Sequence, residues 1–426
     1  MLEKTNMDST PNILQPGRLW WNWFGEQYFV PKYVAQPKTE AELQQIVVAA
    51  RRLALPVRAS GAGHSNPAVV PTPGIHVDFS AFNQIVSIDV EKLQVTLRPG
   101  MTVGALSRYL RTQNMSLNNQ GDIDTQAVAG AISTATHGAG VTLPCMSAQL
   151  VAARIVTADG SILDLSAATD GELFKAFRVS LGMFGLIASL TIQAVPSYNI
   201  HKRSWNADTE DCIDQLHQTL STNRTFWFFW LPRTESASLF ELPADVLSKT
   251  SRNHDICHMR TYNQVPVDQP PAELLPGEAF DHSSVIYPNL YVPNFREIEY
   301  AVPFAKFEET FAEVRLLFQR RYPENMYPVE CRAVKADDSY LSPYSERDGY
   351  ALSVSGPLEH ASWAMLQDVD AIFERHAGRP HWGKHHFMSA ARLEKCFPHY
   401  DAFKRLRREL DPSGMFLNDH LRALFA

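Results

Sequence analysis

This chain has few cysteines, no long apolar run and no excess of basic charge, and each shortage removes a class of function. Its five cysteines, Cys145, Cys212, Cys257, Cys331 and Cys396, are scattered and form no Cys-x-x-Cys pair. An odd count without a framework suggests reduced thiols in a cytoplasmic protein, with no zinc ribbon or redox motif. No apolar run approaches the length of a membrane span, so no membrane partner is expected. The first residues carry Glu3, Asp8 and two prolines where a secretory signal would carry an apolar stretch. A formal net charge of −7, without a basic stripe, gives no reason to expect nucleic acid. Neither a Gly-x-Ser-x-Gly elbow nor a P-loop is present, so hydrolase and nucleotide-phosphate chemistry have no anchor. What remains is an ordinary globular composition, 45% hydrophobic and 20% charged, spread over 426 residues. That length is enough for two domains.

The chain is organised around Arg58-Ala59-Ser60-Gly61-Ala62-Gly63-His64-Ser65, a small-residue loop that ends in histidine. Two glycines and two alanines let backbone N–H groups approach a ligand closely, and phosphates are the usual guests of such loops. A nucleotide cofactor is therefore the first hypothesis. A Rossmann turn fits poorly, because the third glycine position is Asn66 and Pro67, Pro71 and Pro73 oppose the helix that must follow. Two readings stay open from the loop alone: another nucleotide cradle with His64 as a reactive group, or a tight turn with an incidental histidine.

Around the loop the elements are mixed. Thr39-x-x-Glu42 is a capping box, and Leu43, Ile46, Val47 and Ala50 predict an amphipathic helix over about 39–53. Strands are predicted at 57–59, 76–79, 85–89 and 94–98, with Thr102 capping a further helix. This order is α+β, without the regular alternation of a doubly wound sheet. Residues 127–140 are mostly Gly, Ala, Ser and Thr, which reads either as a tightly packed helix or as a second close-approach surface. Residues 151–157 and 161–165 make a hairpin around Asp159-Gly160. Residues 171–180 read as a helix and 188–195 as a strand. Beyond 197 the strands lengthen and aromatics accumulate, with 225–231 reading as core and 263–277 as a solvated loop.

Chemistry-bearing residues gather in the second half. Glu330 and Arg332 share a face if they lie on a strand, forming either a surface ion pair or a charged wall for a polyhydroxylated substrate. His381-Trp382-Gly383-Lys384-His385-His386 sets a lysine in an aromatic context, where its charge can stabilise an alkoxide or an electron-rich ring. The pairs His381/His385 and His254/His258 have helical metal spacing but no evident third ligand, so no metal is expected.

Taken in order, several segments form one pattern. They are Trp21-Asn22-Trp23, the loop at 58–65, the run AGAISTATHGAG at 129–140, and residues 182–187. Glu330-x-Arg332 follows, with residues 336–343 and Arg347-Asp348 behind it. The pattern ends with His381-Trp382-Gly383-Lys384 and Leu410-Asp411-Pro412-x-Gly414-x-Phe416-x-Asn418. This ordered set resembles the vanillyl-alcohol-oxidase type of FAD flavoprotein, and within it the sugar-1,4-lactone oxidase and alditol oxidase group. The resemblance runs nearly end to end.

It implies a two-domain FAD-binding fold. Residues 1–195, completed by 376–426, would hold the cofactor, and 196–375 would form a cap domain on an antiparallel sheet. Besides residues 58–65, the implied cofactor contacts are Gly121, Asp122, Thr125, Gly130, Ala131, Thr134, Ala135, His137, Gly138, Gly185, Ile187 and Asn418. The resemblance also implies covalent FAD through His64. Glu330, Arg332, Lys384, His381 and Ser353 would face the substrate, an alditol or aldono-1,4-lactone. Hydride would pass from its carbinol carbon to flavin N5, and O2 would regenerate the flavin, giving H2O2, or another acceptor would do so. A monomer is favoured. Two positions depart from the pattern. Ser353 stands where a larger polar residue is expected, and Ala131 where some alditol oxidisers carry serine. Ser353 leaves open a flavin dehydrogenase or specialised biosynthetic oxidase of a non-sugar alcohol, and a non-catalytic FAD-binding protein is the third reading.

Overall fold

The computed structural model describes residues 12–243, 245–271, 273–289 and 295–426. The capping box at Thr39 forms as the sequence predicts. Glu42 N–H donates to Thr39 Oγ1, and the Glu42 carboxylate accepts from the Thr39 N–H. The helix Glu40–Leu53 buries Leu43, Ile46, Val47, Ala49 and Ala50. It links the strands Tyr33–Ala35 and Val57–Ser60, which pair in parallel with opposite edges of Ile75–Asp78. Val57–Ser60 ends this four-stranded sheet, so the loop it delivers emerges at a free corner.

A second sheet of five antiparallel strands holds the Asp-Gly hairpin. Leu150–Val156 pairs with Ile162–Ser166, and Gly160 takes a φ of +88° in the turn. The small-residue stretch is helical only over Val128–Ser133. The helix stops because Ala135 adopts φ +59° and the chain turns away. A packed helix across 127–140 is thus replaced by one short helix and an irregular, buried return.

The second half is built on a nine-stranded sheet. Its central strands are Thr225–Arg233, Val329–Val334, Gly349–Gly356 and Arg296–Pro303. Thr225–Leu231 is buried throughout, the core placement expected from its aromatics. The solvated loop expected from Asn263 starts later, because Asn263–Val265 completes the strand His254–Val265 and the Asn263 side chain bonds Asn223. One face of the sheet carries Phe228, Tyr300, Tyr350 and Leu352 against the helices Phe307–Arg321 and Ser362–Arg375. The opposite face is the polar one.

Strand Arg379–Pro380 still pairs with Tyr300 and Ala301, so the sheet extends past residue 375. The chain then returns to the first half. Phe403 stacks on Phe184 with centroids 5.0 Å apart, and Met415 and Phe416 join the core beneath the first sheet. Among the described residues no helix is long and apolar enough to cross a membrane.

Candidate active site

Arg58 fixes the glycine-rich loop from below. Its buried guanidinium donates to the carbonyls of Val69 (2.8 Å), Phe416 (2.6 Å) and Leu181 (2.6 Å), joining three distant segments. Burial lowers its pKa to about 10, which still leaves it charged. Above it, a Cβ on Gly61 would sit 2.3 Å from the Ala127 Cβ, so only glycine lets the loop close on the start of Val128–Ser133.

A cleft of about 1080 Å³ opens between them. Residues 58–65 line it in full, together with Gly130, Ala131, Thr134, Gly185 and Ile187. A Cβ on Gly130 would meet nothing within 4 Å, so the space over this helix is open to a ligand. His64 Nε2 lies 3.0 Å from Thr125 Oγ1, and the Trp23 ring packs on the imidazole at 4.8 Å. His64 Nδ1 is buried without a partner. Burial, aided by the Lys384 charge, depresses the His64 pKa to about 4, so the imidazole is neutral at pH 7.

The remaining predicted cofactor residues lie elsewhere. Gly121, Asp122 and His137 line a neighbouring pocket of about 690 Å³. Ala135 is fully buried behind the cleft, and Gly138 packs against Asn119. Asn418 caps the last helix and donates to the carbonyls of Ala68 (2.7 Å) and Pro71 (2.9 Å). It shapes the loop that backs the cleft.

The second pocket gathers every predicted substrate-facing residue. Opposite residues in the register share a face, so Phe229, Glu330, Ser353 and Glu299 form one row across four strands. Trp227, Arg332 and Ala351 form the next row. Arg332 donates to Asp122 Oδ2 at 2.6 Å, pairs with Glu330, and places its guanidinium 4.2 Å from the Trp227 ring. Ser353 Oγ donates to Glu297 Oε2 at 2.8 Å, and Lys384 pairs with the other Glu297 oxygen. His381 Nδ1 accepts from the Gly383 N–H at 2.9 Å. Ile123, Gln126, His381 and Lys384 line both cavities, which therefore meet at these four residues.

Charge in this pocket is crowded. Four carboxylates, Asp122, Glu297, Glu299 and Glu330, face two cations, Arg332 and Lys384. Burial raises the Glu330 pKa to about 7, with Asp122 and Glu299 adding to the shift and Arg332 opposing it. Burial disfavours the charged form of Lys384, but Glu297, Glu299 and Glu330 outweigh it and hold its pKa above the ordinary value. Glu297 and Glu299 escaped the sequence reading. The signal was there in the alternation Glu297-x-Glu299 along the strand Arg296–Pro303, where both carboxylates must point to one face.

Both halves of the chain match known families. Residues 31–166 match the FAD binding domain, and residues 277–424 match the D-arabinono-1,4-lactone oxidase family. Cholesterol oxidase from B. sterolicum superposes with a TM-score of 0.80 over 98% of this chain and 99% of that one. At 14% identity this likeness speaks for the fold alone. Fold and cleft together define an FAD flavoprotein of the vanillyl-alcohol-oxidase type. L-gulono-1,4-lactone dehydrogenase of Mycobacterium tuberculosis is 32% identical, covering 95% of this chain and 98% of the relative. L-gulonolactone oxidase of Bos taurus is 27% identical, covering 95% and 97%. The chain belongs to the sugar-lactone and alditol oxidase family of FAD-dependent oxidoreductases that act on CH–OH donors.

Proposed function

We propose that this enzyme oxidises a neutral aldono-1,4-lactone, held between the polar face of the cap sheet and the cofactor cleft. The observation that carries this reading is the mixed lining of the second pocket, which combines Glu297, Glu330, Arg332, Lys384 and Ser353 with Phe240 and Phe295, whose ring centroids are 5.0 Å apart. A five-membered lactone presents a hydroxyl-bearing edge and a C–H face, which suits such a pocket better than a linear alditol.

Bound FAD supplies a two-electron acceptor for the hydrogen on the carbinol carbon. Lys384 and Arg332 supply N–H donors for the substrate oxygen where negative charge develops, and Glu330 orients the reacting hydroxyl and takes up the proton it loses as the carbinol becomes a carbonyl. We take O2 as the final acceptor, giving H2O2. The 32% identity to a relative named as a dehydrogenase favours a second reading in which another acceptor takes the electrons. Anaerobic bleaching of the flavin by a panel of aldono-1,4-lactones, alditols, open-chain aldonates and simple secondary alcohols tests the substrate. Admitting air then tests the acceptor. Bleaching by lactones alone is the expected result, and no bleaching by any sugar derivative would sink the assignment. The five free thiols support a cytoplasmic placement, and a monomer is the state we assign.

Covalent attachment of FAD belongs to the same proposal. The unpartnered His64 Nδ1 supports it, because Nδ1 keeps a lone pair when Nε2 donates to Thr125. Wild-type protein is expected to carry yellow, fluorescent flavin through acid precipitation, whereas His64→Ala releases all of it. A wild-type supernatant containing the full complement of FAD would refute the linkage.

A further inference from the structure

His137, Glu299 and His381 form a buried group where the two cavities meet, with one ligand atom from each within 4.8 Å of the others. The spacing resembles a metal site, but the hydrogen bonds do not. His381 Nδ1 already accepts the Gly383 N–H, so the neutral ring carries its proton on Nε2 and has no lone pair there for a metal. His137 is the reverse case. Its Nδ1 lies 2.9 Å from the Gly138 carbonyl oxygen, and its Nε2 lies 2.6 Å from Glu299 Oε1. A carbonyl only accepts, so Nδ1–H is fixed. The short contact to a carboxylate then requires a second proton between Nε2 and Oε1. The pair thus stores one proton more than a neutral imidazole beside a carboxylate. It also ties the cofactor half to the cap sheet, because the two residues come from opposite sides of the pocket.

We infer that Glu299 is a positioning residue for the oxidation: it shares a proton with His137 and through the imidazoles of His137 and His381 fixes the junction at which substrate meets cofactor. The inference rests on the lactone-oxidation reading. Burial opposes ionisation of Glu299, but the imidazoles of His381 and His137 and the Lys384 ammonium outweigh it and hold the carboxyl well below the usual range. The shared proton lies in the 2.6 Å contact between His137 Nε2 and Glu299 Oε1. Tyr344, whose hydroxyl lies 3.4 Å from His137 Nε2, faces the pair from another segment, as do Lys384, Glu330 and Arg332 across the pocket.

The test uses holoenzyme labelled with 15N-histidine. At pH 7 the wild type is expected to show a low-field proton resonance attached to His137 Nε2, absent from Glu299→Gln and from His137→Asn. A wild-type spectrum without it overturns the inference, even if neither variant folds. Glu299→Gln is also expected to slow anaerobic flavin reduction by about 10- to 100-fold, because a small misplacement at the reacting centre costs that much. Its pH profile should differ from that of the wild type, and Glu299→Asp should recover part of the rate. A fully loaded Glu299→Gln enzyme with wild-type rate and pH profile overturns the inference too. If no lactone bleaches wild-type flavin, the substrate assignment fails, and the proton resonance still decides the role of the pair.

Discussion

Replacing Lys384 by methionine is expected to slow anaerobic reduction of the bound flavin by about 10²–10³-fold, the usual cost of losing one donor aimed at developing charge. Methionine keeps an unbranched apolar stem and removes only the ammonium. Lys384 lines both cavities, and among the described residues it is the only lysine or arginine that does. Its loss also leaves Glu297 with only the Ser353 hydroxyl among the bonds the structure gives it, in a pocket where Glu299 and Glu330 already repel a new anion. The measurement is stopped-flow bleaching at saturating lactone, with flavin content checked first. A loaded variant within about threefold of the wild-type rate would show that the charge is dispensable.

Arg332→Met should fail in a different way. Arg332 is buried, bonds Asp122 at 2.6 Å, pairs with Glu330 and lies 4.2 Å from the Trp227 ring. Removing one partner from such a buried network costs about 3–5 kcal/mol, mostly from the carboxylates left behind. Glu330, whose pKa burial has already raised to about 7, loses the cation that opposed the shift and should take up a proton. A lower denaturation midpoint of the holoenzyme and loss of lactone-driven bleaching are both expected. Arg332→Lys should restore some stability but little activity, because one ammonium cannot serve Asp122 and Glu330 with the geometry of a guanidinium fork. An Arg332→Met enzyme with unchanged midpoint and rate would show that the network contributes neither stability nor catalysis.

Local structure was largely legible in the sequence. The capping box at Thr39, the Asp159-Gly160 hairpin and the cap at Thr102 formed as written, because each depends on residues only a few positions apart. Glu330 and Arg332 share a face because strand geometry admits nothing else. The small-residue stretch at 127–140 was not legible in the same way. Its composition suits a helix, but Ala135 takes positive φ and the Thr136 N–H turns back to the Ala131 carbonyl at 2.8 Å, which ends the helix early.

The sequence by itself determined the glycine loop, the order of segments and the acidic, arginine and lysine residues available for chemistry, since these are local or ordered properties of the chain. Tertiary structure decided which of them meet. It set Asp122 against Arg332 from 210 positions away and His137 against Glu299 from 162. It also withdrew Asn418 from the cleft to brace a loop. The physical reason is that a buried charge requires a partner but does not specify where in the sequence that partner stands. The packing of the nine-stranded sheet against the first half of the chain makes that choice.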